Sequence, residues 1–433
     1  MLDLRLFREQ PDFVKAGLKR VGADDSVVDR VREFDAAVRA LKTDAEARQA
    51  DLNATNKTMG KALPEEREAK REQLRALGDN IKALNEKKSS LETELNQLML
   101  EIPNLPDAGT PDGKDEHENV VVRTMGTPRI FDFTPKPHWE IGTNLGILDI
   151  DRGVKISGSR FYVLKGAGAM LQRALIAWML NVHIRQGYTE IYPPFVVKEE
   201  CLVGTTQLPK FEDNLYRDHL EDFWLVPTAE VPLTNLHRDE VLNAEDLTVN
   251  YVAYTPCFRR EKMSAGRDIR GIKRGHQFDK VEMVKLCRSE DSEAELMKLV
   301  SDAEDVCKAL EIPYRLLQVC AGDKGFGNVM QFDWELYAPA SRGEEGAEWL
   351  EVSSCSNFRE YQARRANLRY RPEPGAKPEF CHTLNGSGLA LPRTLIAILE
   401  NYQNEDGSVT IPKVLIPYMG GLEKIEKRTD GPW

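Results

Sequence analysis

The chain has 433 residues, 41% of them hydrophobic and 30% charged, with a net charge of -11; that is enough to bury a large core and long enough for two or more domains. No apolar run has the length of a membrane span and Met1-Leu2-Asp3-Leu4-Arg5 lacks the apolar core of a signal peptide, so a cytoplasmic protein with no membrane contact is expected. The acid excess argues against a broadly nucleic-acid-like surface and confines any RNA contact to a local region.

Lys and Arg balance Asp and Glu over residues 1–100, so the acid excess lies beyond them. Within that stretch Val27, Val31, Phe34, Val38, Leu41, Ala45, Arg48, Leu52, Thr55 and Met59 alternate steps of four and three. This is a heptad seam with polar lapses at Arg48 and Thr55. A second seam runs through Leu74, Leu77, Ile81, Leu84, Lys88, Leu91, Leu95 and Leu98, and Gly60 and Pro64 break the chain between the two. A short connection makes neighbouring helices antiparallel, so the prediction is a long helical hairpin whose arms of some 35 residues each span roughly 50 Å. From Lys57 to Arg75 six cations face four acids, a small basic excess near the tip. A purely structural coiled coil has the same pattern.

The run Ile102-Pro103-Asn104-Leu105-Pro106-Asp107-Ala108-Gly109 reads as a linker, which divides the chain into an arm at 1–105 and a body at 106–433. In the body, strand-like runs at Val120-Val121-Val122, Phe161-Tyr162-Val163-Leu164 and Tyr251-Val252-Ala253-Tyr254 mix with helices near 167–187, 289–311 and 392–404. The mixture predicts an α+β domain on a mainly antiparallel sheet flanked by helices. Phe258-Arg259-Arg260-Glu261 and Arg274-Gly275-His276-Gln277-Phe278-Asp279-Lys280-Val281-Glu282-Met283-Val284 read as two strands joined by a long polar loop. Alternation puts Phe278, Lys280 and Glu282 on one face and Val281 and Met283 on the other. An arginine, an aromatic face and carboxylates together suit a nucleotide, although a salt-bridged hairpin would look similar. The seven cysteines, at 201, 257, 287, 307, 320, 355 and 381, form no Cys-x-x-Cys pair and no metal-like spacing with histidine. Free thiols are therefore favoured over disulfides, and no zinc is expected.

Two further runs, Val226-Pro227-Thr228-Ala229-Glu230 and Thr383-Leu384-Asn385-Gly386-Ser387-Gly388-Leu389-Ala390-Leu391-Pro392-Arg393, complete a pattern over nearly the whole chain. Together these runs resemble the seryl-tRNA synthetases of bacterial type. Phe258–Glu261 and the strand after it look like motif 2 of class II aminoacyl-tRNA synthetases, the last run like motif 3, and Thr228-Ala229-Glu230 like the serine-binding loop. The segment from Ala167 through Gly187–Pro194 looks like motif 1, which implies a homodimer.

The resemblance implies ATP-dependent activation of L-serine to seryl-adenylate and its transfer to the 3' end of tRNA-Ser. Whether a selenocysteine tRNA is also a partner is left open. By the same carry-over, Arg259 would bridge the serine carboxylate and the α-phosphate, Arg393 would meet the γ-phosphate, Glu261 would accept from the adenine amine and Phe278 would stack on the base. Arg260, Val352 and Ser353 join the ATP-binding runs. Glu351 and Ser354 would hold Mg2+ with ATP, as hard oxygen ligands. Thr228 and Glu230 would hold the serine amino group, with Ala229 between them in the serine-binding loop, and Glu282 and Ser387 would face its hydroxyl. The hairpin would grip the long variable arm of the tRNA by its shape and phosphates. Lys262-Met263 departs from the Ala-Gly usual after the motif 2 Glu, which puts acceptor-end contacts in doubt. The competing readings are a serine-activating paralogue that loads a small molecule or carrier, and a non-catalytic RNA-binding coiled-coil scaffold.

Overall fold

A computed structural model describes residues 1–59, 63–262 and 270–428, in two compact units, Met1–Leu105 and Pro106–Trp433. The first unit is helical: α1 (Leu4–Glu9), α2 (Pro11–Arg20), α3 (Val27–Met59) and α4 (Pro64–Leu100). Asp3 caps α1 by accepting from the Arg5 N–H, and Pro11 and Pro64 open α2 and α4 in the first turn, where a missing N–H costs nothing. Helices α3 and α4 pack along their lengths. Every residue of the two seams is buried or half-buried, including the polar lapses Arg48, Thr55 and Lys88. Asp35 lies beside this seam, buried, held by Arg8 at 2.8 Å and Arg39 at 3.0 Å. Both arginines hold its carboxyl below the usual carboxylate range. The break between the seams, at Gly60–Ala62, lies outside the described residues.

The second unit is built on an eight-stranded sheet. In chain order its strands are β1 (Val120–Met125), β2 (Thr189–Glu190), β3 (Val249–Phe258), β4 (Gln277–Cys287), β5 (Tyr314–Gln318), β6 (Met330–Ala338), β7 (Glu348–Arg359) and β8 (His382–Ala390). Their spatial order is β1-β5-β6-β7-β8-β4-β3-β2, antiparallel throughout except for the parallel β2–β3 pair at one edge. The helices in chain order are α5 (His138–Asn144), α6 (Ile150–Ser157), α7 (Ala167–Arg185), α8 (Glu199–Gly204), α9 (Glu230–Thr234), α10 (Ser292–Ala309), α11 (Tyr361–Ala366) and α12 (Leu391–Asn401).

Strand alternation divides this unit into two layers. Val281 and Met283 of β4 join a large core with Leu171 and Leu175 of α7, Leu296 and Leu299 of α10, and Leu395 and Ile396 of α12. Val284 and Leu286, on the opposite face, pack against Ala229, Leu233, Ala363 and Ala366 of the α9 and α11 segments. The same face continues through Glu282, Lys280 and Phe278, where apolar cover gives way to a cavity. Register aligns that floor across the strands: Ser387 lies opposite Glu282 and Ser354 opposite Asp333. The β8–β4 register shifts between Ser387 and Leu389. Gly388 sits at that bulge because a Cβ there would come 2.3 Å from the His183 Nε2.

Candidate active site

The cavity has a volume of about 400 Å³ and draws its walls from β4, β6, β7, β8, the start of α12 and the segment around Thr228. Thr228, Glu230, Arg259, Glu261, Phe278, Glu282, Glu351, Val352, Ser353, Ser354, Ser387 and Arg393 all line it. Sequence positions up to 165 apart thus meet in one chamber because β4, β7 and β8 are neighbours in the middle of the sheet.

One end is small, buried and polar. Glu282 is fully buried, yet its carboxylate takes a hydrogen bond from Asn385 Nδ2 at 2.9 Å and one from Ser387 Oγ at 3.1 Å, and it pairs with Lys280. A buried charge is tolerable only with partners of this kind. Glu230, at the first turn of α9, is also buried, and Gln362 Nε2 donates to its Oε1 at 2.6 Å. The Gln362 Oε1 in turn accepts from Thr383 Oγ1 at 2.6 Å, which fixes the amide so that its NH2 faces the carboxylate. Burial, reinforced by the negative charge of Glu282, pushes the Glu230 carboxyl up to about 7. Ser353 spends its hydroxyl on the Ser387 carbonyl at 2.6 Å, so it holds the β8 bulge in place.

The other end carries Arg259, Arg274 and Arg393. Arg259 follows the last residue of β3; its Nε donates to the Pro227 carbonyl at 3.2 Å and its guanidinium lies 5.1 Å from the Phe278 ring centroid. Glu261 has φ +49°, a left-handed turn that ends the strand alternation, and Arg274 approaches its carboxylate at 3.7 Å. Arg393 occupies the first turn of α12, behind Pro392. It donates to the Glu351 carbonyl at 2.7 Å and stands 3.5 Å from that residue's carboxylate. The helix N-terminus adds its own positive end there. Asp333 lies across from Ser354, hydrogen-bonded by Gln331 Nε2 at 3.0 Å. Burial and the nearby Glu351 charge hold its carboxyl well above the usual range.

Comparison with known proteins accounts for both units. Residues 1–106 match the family model "Seryl-tRNA synthetase N-terminal domain" and residues 210–402 match "tRNA synthetase class II core domain (G, H, P, S and T)". The serine–tRNA ligase of Roseiflexus sp. (strain RS-1) is 60% identical over 99% of this chain and 100% of its own length. That of Chloroflexus aurantiacus (strain ATCC 29366 / DSM 635 / J-10-fl) is 56% identical over 98% of this chain and all of its own. The chain belongs to the seryl-tRNA synthetase family. Solved seryl-tRNA synthetases share the fold: that of Pyrococcus horikoshii complexed with ATP superimposes with a TM-score of 0.92, at 35% identity, covering 99% of this chain and 100% of the other. The cytoplasmic serine–tRNA ligase of Naegleria fowleri in complex with AMP gives 0.87 at 30% identity, covering 99% of both.

Two residues named from the sequence lie outside this synthetase's chamber. The Arg260 guanidinium sits 5.8 Å from the Tyr216 ring centroid and lines a separate recess with Glu212, Arg217 and Trp224, while its N–H donates to the Asn214 carbonyl. Ala229 is packed into the apolar cluster behind α9. Other chamber residues were not singled out as contacts, among them Asn385, Arg274, Phe326, Asn328 and Gln331. Asn385 and Arg274 stand in runs already read as site-bearing, and Asp333 is an acid flanked by Phe332 and Trp334 in β6. Gln362 carries no such signal. Motif 2 loop residues Met263–Ile269 lie outside the described residues, so the Lys262-Met263 departure is described only to Lys262, whose N–H donates to Asn214 Oδ1 at 3.3 Å.

Among the described residues no three His, Cys, Asp or Glu side chains gather as a metal site, and the seven cysteines are free thiols. No helix among the described residues is long and apolar enough to cross a membrane.

Proposed function

We propose that this serine–tRNA ligase forms seryl-adenylate inside the 400 Å³ chamber, with serine at the Glu230–Glu282 end and ATP along Arg259, Phe278 and Arg393. One observation carries the reading: a buried carboxylate floor, closed by Asn385 and Ser387, opens directly into a wall of arginines and one aromatic face. The serine ammonium is held by Glu230 and Thr228. Its hydroxyl meets Glu282 and Ser387, a contact that alanine cannot make. A site built to bond a substrate hydroxyl rejects the analogue lacking it by about 10^4-fold or more.

Activation joins a carboxylate oxygen of serine to the α-phosphorus and breaks the bond to pyrophosphate, bringing anions together. Catalysis therefore rests on positioning and on neutralising charge. Arg259 supplies a fixed cation to the serine carboxylate and α-phosphate, and Arg393, with the α12 N-terminus behind it, supplies one to the γ-phosphate. Phe278 and Glu261 orient the adenine by its face and its exocyclic amine. Through its backbone, Arg260 holds the run between them. A ribose hydroxyl at the tRNA 3' end then attacks the adenylate carbonyl and AMP leaves.

The donor set also fits Mg2+. Glu351, Ser354 and Asp333 bring two carboxylates and a hydroxyl to one place, hard oxygen donors of the kind Mg2+ takes. Bound there with ATP, the ion would neutralise phosphate charge.

The helical unit is assigned to tRNA-Ser, through phosphate and shape contacts rather than base reading. A homodimer through the segment Gly187–Pro194 completes the assignment. Ile184, Tyr192 and Val196 around it are exposed, Tyr192 at 83%, and apolar exposure of this kind marks a partner surface. A cytoplasmic setting suits both tRNA and the free thiols. Exchange of labelled pyrophosphate into ATP, measured with each amino acid in turn, tests the reading: exchange dependent on serine is expected, and exchange driven equally well by alanine or threonine would overturn it.

A further inference from the structure

His138 and Glu400 are both fully buried and neither lines the chamber. Glu400 lies in the last turn of α12, seven residues after Arg393, or about 10 Å along the helix. Its Oε1 accepts from the His138 backbone N–H at 3.1 Å and its ring Nδ1 at 2.9 Å, and its Oε2 accepts from the Ala340 N–H at 2.9 Å. On the far side of the imidazole, the Ile272 N–H donates to Nε2 at 3.3 Å. An N–H donor on Nε2 requires that nitrogen to be unprotonated, so the proton sits on Nδ1 and points at Glu400. The ring is thereby fixed in tautomer and orientation by a carboxylate, and its free lone pair is aimed at one backbone amide.

That amide belongs to the return limb after the motif 2 loop. Gly271, at φ +70°, passes so close to the imidazole that a Cβ there would be 2.0 Å from Nε2. Beyond Ile272, Lys273 reaches both Glu348 carboxylate oxygens at 2.7 Å, Arg274 faces Glu261, and His276 Nδ1 bonds the Arg259 carbonyl at 3.0 Å. Lys273, Arg274 and Gly275 line the chamber.

We infer that the buried Glu400–His138 pair is a positioning device for ATP: it ties the end of the Arg393 helix to the Ile272 amide and so sets Lys273 and Arg274 at the nucleotide end of the chamber. His138 touches no substrate. It acts through the backbone it holds. The inference rests on the assignment of ATP to that end.

The test uses two full-length variants. His138→Phe/Glu400→Met replaces both partners by apolar groups of similar size, which avoids leaving a buried carboxylate unpaired. Gly271→Ala keeps both side chains of the pair and forces a methyl against Nε2. Each is assayed by pyrophosphate exchange with ATP and serine varied separately, and by amide hydrogen exchange across 270–287. The expected result is a KM for ATP raised about tenfold, a KM for serine within twofold of the parent, and an Ile272 amide exchanging at least tenfold faster while β4 stays protected. An unchanged KM for ATP with normal Ile272 protection would overturn the proposal. A loss falling equally on ATP and serine would do the same, since it marks packing alone. If the double variant does not fold, Gly271→Ala decides. Failure of the parent to exchange at all would instead sink the chamber assignment, while Ile272 protection reads the buried chain independently of it.

Discussion

Glu230 makes serine binding a proton-linked event with a sign and a size. In the free protein its carboxyl lies at about 7, against an ordinary value of 4.5, because it is buried beside Glu282. Keeping it ionised there costs on the order of 3 kcal/mol. A serine ammonium at that carboxylate requires the ionised form, so apparent affinity scales with the ionised fraction of the free site. That fraction is about one half at pH 7, one tenth at pH 6 and one hundredth at pH 5. Serine should therefore bind about fivefold more weakly at pH 6 than at pH 7, and about tenfold more weakly again at pH 5. Binding at pH 6 should release close to one proton. Calorimetric titration of serine, without ATP, in two buffers of different ionisation enthalpy measures both quantities. Glu230→Gln should bind weakly at every pH and lose the dependence. Gln362→Leu removes the amide that stabilises the carboxylate and should move the profile to higher pH. The effect on folding has the opposite sense: a carboxyl raised by burial binds its proton more tightly folded than unfolded, so its contribution to stability falls as pH rises from about 4.5 to 7. A serine affinity that stays flat from pH 7 to pH 5, with no proton released, would refute the placement of the ammonium at Glu230.

Three further outcomes are expected. Arg259→Ala should keep the fold, since little core volume is lost, yet lose several kcal/mol of transition-state stabilisation, about 10^3-fold or more in exchange kcat/KM; normal exchange in the folded variant would remove Arg259 from the chemistry. Light scattering at micromolar concentration should find a two-fold dimer, the commonest closed symmetry, and an active monomer would refute the Gly187–Pro194 interface. Deleting Asp29–Leu98 and closing the gap with a short linker should spare serine-dependent exchange but nearly eliminate tRNA charging, and charging by the intact enzyme should fall with salt more steeply than exchange does. A truncated enzyme that charges tRNA as well as the intact one would make the hairpin a structural coiled coil.

What could be read from the sequence follows physical locality. The seams of α3 and α4 were legible because a heptad repeats over about nine turns in one and about seven in the other, and burial follows it even through Arg48, Thr55 and Lys88. Helices α1 and α2, of 6 and 10 residues, are too short for a period to declare itself and were not anticipated. Alternation along β4 assigned Phe278, Lys280 and Glu282 to one face because an antiparallel strand with an unlike environment on each side has a strict period of two. It does not extend to Arg260, which the family resemblance alone placed among the ATP contacts: β3 has already ended at Phe258 and Glu261 turns left-handed, so neighbouring side chains there no longer alternate about one plane. Groups that would touch substrate fall in short contiguous runs, since one strand end or helix start can present several of them together. The groups that hold those residues obey no such rule. Gln362 reaches Glu230 across 132 positions, and His138 reaches Glu400 across 262. A lone glutamine or histidine gains its meaning only when the sheet order brings a carboxylate to it. For this reason the chamber's chemistry lies largely on the surface of the sequence, while the hydrogen bonds that give the chamber its rigidity emerge from the topology.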